Sequence, residues 1–411
     1  MDEAVKKSSR FWDADIQAIS DWVITQTLCT IDLQRLLDGF CERLLEAGMP
    51  LARGHMAMST LHPMYSANTF TWSLIGEQGG ARIPHRYEPR PEWLNSPLKV
   101  VFDQGLSEAR HVLEGNTDWR KFPLLVELQA QGVTDYLILR TAFVEGQDRG
   151  RNNDGVITTW STVEPGGFSD IHLTALRRLH PRLAVAAKMA RGEDTANNIL
   201  TAYLGGDAAK RVLAGQIRRG DGDVIPSVIW YSDLRKSTTL ADTLPGEEFL
   251  AILNAFFECT AGAVLDHDGD VLRFIGDAVM AIFPVGGDNF SQRDACAAAL
   301  AAAHDAEARL ASVNKERAAE GKPELGLGLG LHVGEVMFGN IGTPERVEFS
   351  VIGPAANEVT RLEGLTKEVG RTVVVSKDFA DCLDVEWESL GEHEFRDVAG
   401  TRELFAPPQP S

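Results

Sequence analysis

Between residues 227 and 375 the apolar residues switch back and forth between the period of a strand and the period of a helix. That alternation limits the fold more than any other feature of the chain. Residues 227–232 (SVIWYS) are a β-rich run. Residues 247–266 repeat Phe249, Ile252, Leu253, Phe256, Phe257, Ala263 and Val264 along one helical face, with Thr260 as a mild polar interruption. Residues 271–275 and 278–283 are short strands around Gly276-Asp277, a hairpin signal. An Ala-rich helix over 290–318 comes next. Strands over 325–333, 336–341 and 347–352 follow, then a helix over 355–368 and a strand over 372–375. The order β-α-β-β-α-β, with additions, predicts an α+β domain with a ferredoxin-like core over 224–411.

Two aspartates fall where this pattern holds ligands. Asp233 ends the first strand and opens the loop Leu234-Arg235-Lys236-Ser237-Thr238; Asp277 sits in the hairpin turn. In a ferredoxin-like sheet the first strand lies beside that hairpin, so the two carboxylates converge at one edge. Converging carboxylates repel unless a cation lies between them, and hard oxygen ligands select Mg²⁺ or Mn²⁺. The loop after Asp233 can offer backbone N–H groups to phosphate. Taken singly, each feature also has a plain structural reading, an end cap and a turn. The Gly-rich stretch 326–334 has G-x-G-x-G spacing with Leu alternating as on a half-buried strand, which is not a dinucleotide fingerprint. Glycine there predicts close backbone approach at a dimer seam or beside a ligand.

Residues 1–190 mix helices and strands. Helical periodicity runs through 16–47, strand-like segments cover 69–75, 135–143 and 156–163, and a turn at Pro165-Gly166-Gly167 leads to a helix starting near Phe168-Ser169-Asp170. His55, His62 and His85 are not spaced as metal ligands and read as structural or surface residues. Trp72 and Trp93 read as core, with pocket lining as the alternative. Residues 191–223 form a helical connector interrupted at Gly205-Gly206, either a passive linker or a transmitter of motion.

The chain has 411 residues, enough for two or three domains at roughly 150 residues each. Its formal net charge of −19 repels phosphate backbones and anionic lipid, so neither nucleic acid nor membrane is an expected partner. The five cysteines (Cys29, Cys41, Cys259, Cys296, Cys382) form no C-x-x-C and suit a reducing compartment. No apolar core of a signal peptide opens the chain, and no apolar run approaches the roughly 18 residues of a membrane span. A cytoplasmic protein is the expectation.

The blocks VIWYSDLRKSTTLADTLP, GDVLRFIGDAVMAIFP, LGLHVGEVMFGNIGTPERVEFSVIGPAANEVTRLEGL and FRDVAGTRELFAP resemble, in order and spacing, those of the class III adenylate/guanylate cyclase catalytic domain. The resemblance covers nearly half of the chain. The strand followed by GGFSDIHLTALRRLHPRLAVAA weakly resembles a GAF-type sensor domain, with another α/β sensor fold as the alternative.

The cyclase resemblance implies specific roles. Asp233 and Asp277 match the metal-binding aspartates, and the backbone carbonyl of Leu234 adds a ligand for two Mg²⁺ or Mn²⁺ per site. Ser237 and Thr238 fall in the phosphate loop. Asn357 matches the ribose-orienting asparagine and Arg361 the transition-state arginine; apart from the motif, Arg361 would read as a surface partner of Glu358 or Glu363. Arg396 aligns with a triphosphate-binding lysine. One catalytic domain carrying both residue sets implies a head-to-tail homodimer. A connector helix that helps the chain dimerise would let the N-terminal domain tune activity in response to an unidentified small molecule or protein. Arg273 and Ser350 stand at the base-reading positions but match neither the adenylate nor the guanylate pair. ATP is the expected substrate because a cation with a hydroxyl is nearer the bacterial adenylate type, with GTP or a pyrimidine nucleotide, or an inactive nucleotide-binding module, as alternatives. The missing Gly-Gly-Asp/Glu-Glu-Phe signature disfavours a diguanylate cyclase. Lys236 replaces a glycine common in the phosphate loop.

Overall fold

The computed structural model describes residues 2–28, 32–85, 88, 90–115, 117–143, 154–286, 291–395 and 400–408. The chain divides into two compact units, Met1–Ile199 and Leu200–Ser411.

The first unit is built on six antiparallel strands: β1 (Arg53–Ser59), β2 (Tyr65–Ser73), β3 (Gly79–Pro84), β4 (Glu108–Val112), β5 (Asp135–Ala142) and β6 (Gly155–Thr162), in the order β3-β2-β1-β6-β5-β4. Its helices are α1 (Asp2–Thr27), α2 (Leu33–Glu46), α3 (Pro91–Leu94), α4 (Pro97–Asp103), α5 (Pro123–Ala130) and α6 (Asp170–Leu204). Strand alternation divides the side chains between two faces. Met56, Met58, Leu137, Leu139 and Trp160 pack with Phe40 of α2 and Leu176, Leu179 and Leu183 of α6; Ile138 and Ile157 pack with Val101 of α4 and Leu125 of α5. Trp72 is buried in the first of these cores.

Three expectations change here. The periodicity over 16–47 is two helices, because the Asp32 carboxylate accepts from the Gln34 and Arg35 amides and starts α2 afresh. The sequence reading passed over β1, β3 and β4, whose small and polar residues mask the alternation. The boundaries at 190 and 223 also shift. Residues 170–204 are one helix, and the break comes at Gly205, whose φ of 86° suits glycine. The following α7 (Gly206–Leu213) packs Ala208 against Phe338 and Phe349, which places it in the second unit.

The second unit holds β7 (Gly222–Arg235), β8 (Asp270–Ile275), β9 (Ala278–Pro284), β10 (Gly326–Gly342), β11 (Val347–Ile352), β12 (Val373–Ser376), β13 (Glu388–Glu394) and β14 (Thr401–Ala406). The sheet order is β13-β14-β12-β10-β7-β9-β8, with β11 paired to β10. Its helices are α8 (Ser237–Thr243), α9 (Gly246–Asp266), α10 (Gln292–Ala319), α11 (Pro354–Val369) and α12 (Lys377–Ala380). The β-α-β-β-α-β order is present as β7-α9-β8-β9-α10-β10. Val228, Trp230 and Leu234 point to the core of α9 and α10, while Ile229 and Tyr231 point to the side covered by Ala355, Ala356 and Val359 of α11.

The two strands expected over 325–333 and 336–341 are one strand of 17 residues, kept continuous by unbroken pairing with β7 from Gly326↔Arg235 to Gly339↔Gly222. Its glycines allow close approach within the fold. A Cβ on Gly330 would meet the Val359 carbonyl at 2.7 Å and the Glu363 amide at 3.0 Å, so glycine is what lets α11 lie directly on the strand. The apolar-run expectation also needs correction. The helix Gly246–Asp266 is long and apolar enough by composition to cross a membrane, with a mean hydropathy of 1.5 over its most apolar 18 residues. Here Ile252, Phe256, Ala263 and Val264 bury it against the sheet, and Thr260 satisfies its hydroxyl by donating to the Phe256 carbonyl at 2.9 Å.

Candidate active site

Asp233 stands two residues beyond Tyr231 and so continues the row of β7 side chains on the α11 side of the sheet. Directly opposite it on β9 is Ala278, and the residue before Ala278 is Asp277, in a two-residue turn that takes positive φ only at Gly276. Strand register therefore brings the two carboxylates within hydrogen-bond reach of one another. Leu234 alternates to the opposite face and is 2% exposed in the α9/α10 core, so only its backbone can serve the site.

The electrostatics are those of an acid pair sharing a proton. Burial, the hydrogen bond with Asp277 and the charges of Asp277 and Glu363 raise the Asp233 carboxyl to about 7. Partial burial works against ionisation of Asp277, but hydrogen bonds from Asp233, Ser237 and its own backbone hold it below the usual carboxylate range. Burial and the same acids push the Tyr231 phenol up to about 12. Glu363, buried on α11, is raised by burial and opposed by Arg235 at 3.8 Å and by Lys367. Ionised carboxylates only accept, so this pair needs a proton or a cation between its members. Its oxygen donors fit a hard divalent ion such as Mg²⁺ or Mn²⁺. Among the described residues no group of three or more His, Cys, Asp or Glu side chains is arranged to hold a metal.

Lys236 takes the left-handed conformation that favours glycine, with φ 60° and ψ 25°. The turn is retained at a cost of about 1–2 kcal/mol for a left-handed non-glycine residue. Ser237 reaches Asp277, and Ser237 and Thr238 open α8.

A second cluster forms at β8 and β11. Arg273 donates to the Ser350 hydroxyl at 3.3 Å and pairs with Glu348 at 2.5 Å. Sequence reasoning missed Glu348, although its place two residues before Ser350 puts both on one face of β11. Arg235, Glu363 and Lys367 were missed as neighbours of the acid pair. Asn357 is exposed on α11 and Arg361 is half-buried one turn on. Glu358 faces His332 at 3.6 Å and Arg402 at 4.0 Å, and Glu363 faces Arg235 at 3.8 Å. Arg396 lies outside the described residues.

The family model of the adenylate and guanylate cyclase catalytic domain matches residues 225–405. This segment, a little under half of the chain, is thus similar to that catalytic domain from its first strand to its last. It is similar to adenylate cyclase 1 of Rhizobium meliloti, 34% identical over 165 residues that make up 39% of this chain and 24% of that protein. It is also similar to an adenylate cyclase of Anabaena cylindrica, 31% identical over 153 residues, or 36% of this chain and 29% of that one. The matched stretch thus spans about a quarter of the length of these curated relatives. Among solved structures, the guanylyl cyclase Cya2 is 28% identical over 45% of this chain and 92% of its own, with a TM-score of 0.39.

Proposed function

We propose that the cyclase domain converts ATP into 3′,5′-cyclic AMP and pyrophosphate at a site assembled between two copies of the chain, under the control of the first unit. The observation that carries this reading is the Asp233–Asp277 pair, two acids in contact at the end of β7, on a chain that also presents Asn357 and Arg361 on α11. The 3′-hydroxyl of the nucleotide attacks its own α-phosphorus and pyrophosphate leaves. Asp233, Asp277 and the Leu234 carbonyl would hold two Mg²⁺ or Mn²⁺, which lower the hydroxyl's pKa and offset triphosphate charge. Ser237 and Thr238 contact the phosphates. Asn357 orients the ribose, and Arg361 meets the charge building on the α-phosphate and the leaving oxygen. Because one chain carries both residue sets, a head-to-tail homodimer supplies two equivalent sites. The free, buried thiols of Cys41, Cys259 and Cys296 support a reducing, cytoplasmic setting.

Arg273 and Ser350 would read the base. Arg273 donates to adenine N1, and Ser350 donates or accepts. Glu348 supports a second reading, because a carboxylate beside Arg273 can accept from the N1–H and amino group of guanine. The full-length chain incubated with ATP, GTP, CTP or UTP and either metal, with products identified by mass, separates these readings. Cyclic AMP as the preferred product is expected. Cyclic GMP in preference would move the assignment to the second reading, and no cyclic product from any nucleotide would overturn both. Arg361→Ala is expected to lower turnover roughly 10²-fold or more.

A further inference from the structure

In the first unit, strand register lines up Thr69 of β2, Ala57 of β1 and Ile157 of β6 across the sheet. They lie on the face opposite Met56 and Met58, away from the core of α2 and α6. Small residues on this face, Ala57, Ala67 and Gly155, leave space above the strands. The result is a cavity of about 550 Å³ whose other lining includes Trp93 of α3 and Phe102 of α4. Those two rings are 5.5 Å apart, centroid to centroid. The volume falls within the range of small-molecule sites.

Two lining residues carry buried polar atoms with no hydrogen-bond partner among the described residues, Ser59 Oγ and Arg90 Nε. Buried donors are ordinarily satisfied, so two orphans at one cavity wall mark where a bound acceptor belongs. His55, also in the lining, is held neutral by burial, with its pKa lowered to about 3, and its Nδ1 is taken by Thr71 at 2.8 Å. It adds a flat neutral ring; Glu88 and Glu92 also line the cavity, which leaves Arg90 as the one guanidinium or ammonium group in the lining, a match for one anionic group and no more.

We infer that this cavity binds a planar aromatic small molecule bearing one anionic group, its ring between the alanine floor and Trp93, its anion at Arg90 and Ser59. The site deepens the reading of the first unit as regulatory and rests on it only for the consequence of binding. Occupancy itself is independent of turnover.

The test uses 8-anilinonaphthalene-1-sulfonate, an aromatic probe with one anionic group, and N-phenyl-1-naphthylamine, its neutral counterpart, titrated into the full-length chain. The sulfonate is expected to saturate at one per chain. Ala57→Trp, which fills the floor, is expected to weaken both probes at least 10-fold. Arg90→Met is expected to weaken the sulfonate about 10-fold and the neutral probe less than twofold, with Arg90→Lys restoring part of the loss. Thermal melts identify variants that fold like the parent, and Ala67→Leu is the smaller fill should Ala57→Trp not fold. Sulfonate binding that survives filling overturns the site. Equal loss of both probes in Arg90→Met, or no loss, overturns the anionic assignment. Cyclic nucleotide formation by the same samples is scored separately, so failure of one reading leaves the other standing.

Discussion

Each unit holds an aspartate against its sheet, and the two are treated in opposite ways. Asp135 of the first unit is fully buried, accepts from Arg110 at 3.1 and 2.7 Å, and accepts from the Phe168 amide at 2.9 Å. Asp233 of the second unit faces Asp277 and Glu363, acids like itself, with Lys367 as a partial offset. A buried carboxylate with matched donors holds a fold together; a half-buried carboxylate among carboxylates weakens it. The second arrangement makes sense as chemistry waiting for a cation. The sheets differ in the same spirit. Glycines on β10 admit a helix backbone and close the space, whereas alanines on β1 and β2 leave a cavity open.

The comparison breaks most visibly at Asp277. Asp277→Ala is expected to reduce cyclic nucleotide formation roughly 10²-fold or more while the melting temperature changes little, because relief of the crowding around Asp233 offsets loss of the hydrogen bonds that Asp277 accepts. Asp135→Ala should instead lower stability, with a loss of about 3 kcal/mol in urea denaturation as Arg110 loses its partner. Equal destabilisation by the two variants would erase the distinction. A third contrast lies in pH. His180 sits between Thr141 at 2.9 Å and Thr158 at 3.0 Å, and burial lowers its pKa to about 4. The unfolded chain therefore takes up this proton first, near pH 6.5, so stability falls as pH drops from about 6.5 to 4, by up to about 3 kcal/mol. Denaturation curves across that window should flatten in His180→Gln. The smallest effect is expected at Lys236→Gly. Relief of the left-handed backbone, offset by the greater freedom of the unfolded chain, should stabilise by about 0.5–1 kcal/mol, read as a small rise in melting temperature.

Much of the cyclase domain was legible because its signals are local. The hairpin turn at Gly276-Asp277, the apolar face of α9 and the i, i+4 spacing of Asn357 and Arg361 each span a few residues. The first unit was harder to read. β1 alternates Met56 and Met58 with His55, Ala57 and Ser59, and the small residues that blur its pattern are those that open the cavity. Trp93 illustrates the limit: the sequence offered core or pocket for it and for Trp72, and packing sent Trp72 to the core and Trp93 to the cavity wall.

Residue spacing led to the β-α-β-β-α-β order and offered Asp233 and Asp277 as candidates, with their metal-binding role resting on the resemblance, because periodicity and turn chemistry depend on neighbours along the chain. Pairing across space settled the rest. Register set Asp233 beside the hairpin turn, an α11 backbone resting on Gly330 brought Glu363 to the acid pair, and the β8–β11 approach gave Arg273 a carboxylate partner in Glu348. Such contacts join residues tens of positions apart, and their charges act only once folding has removed the water between them.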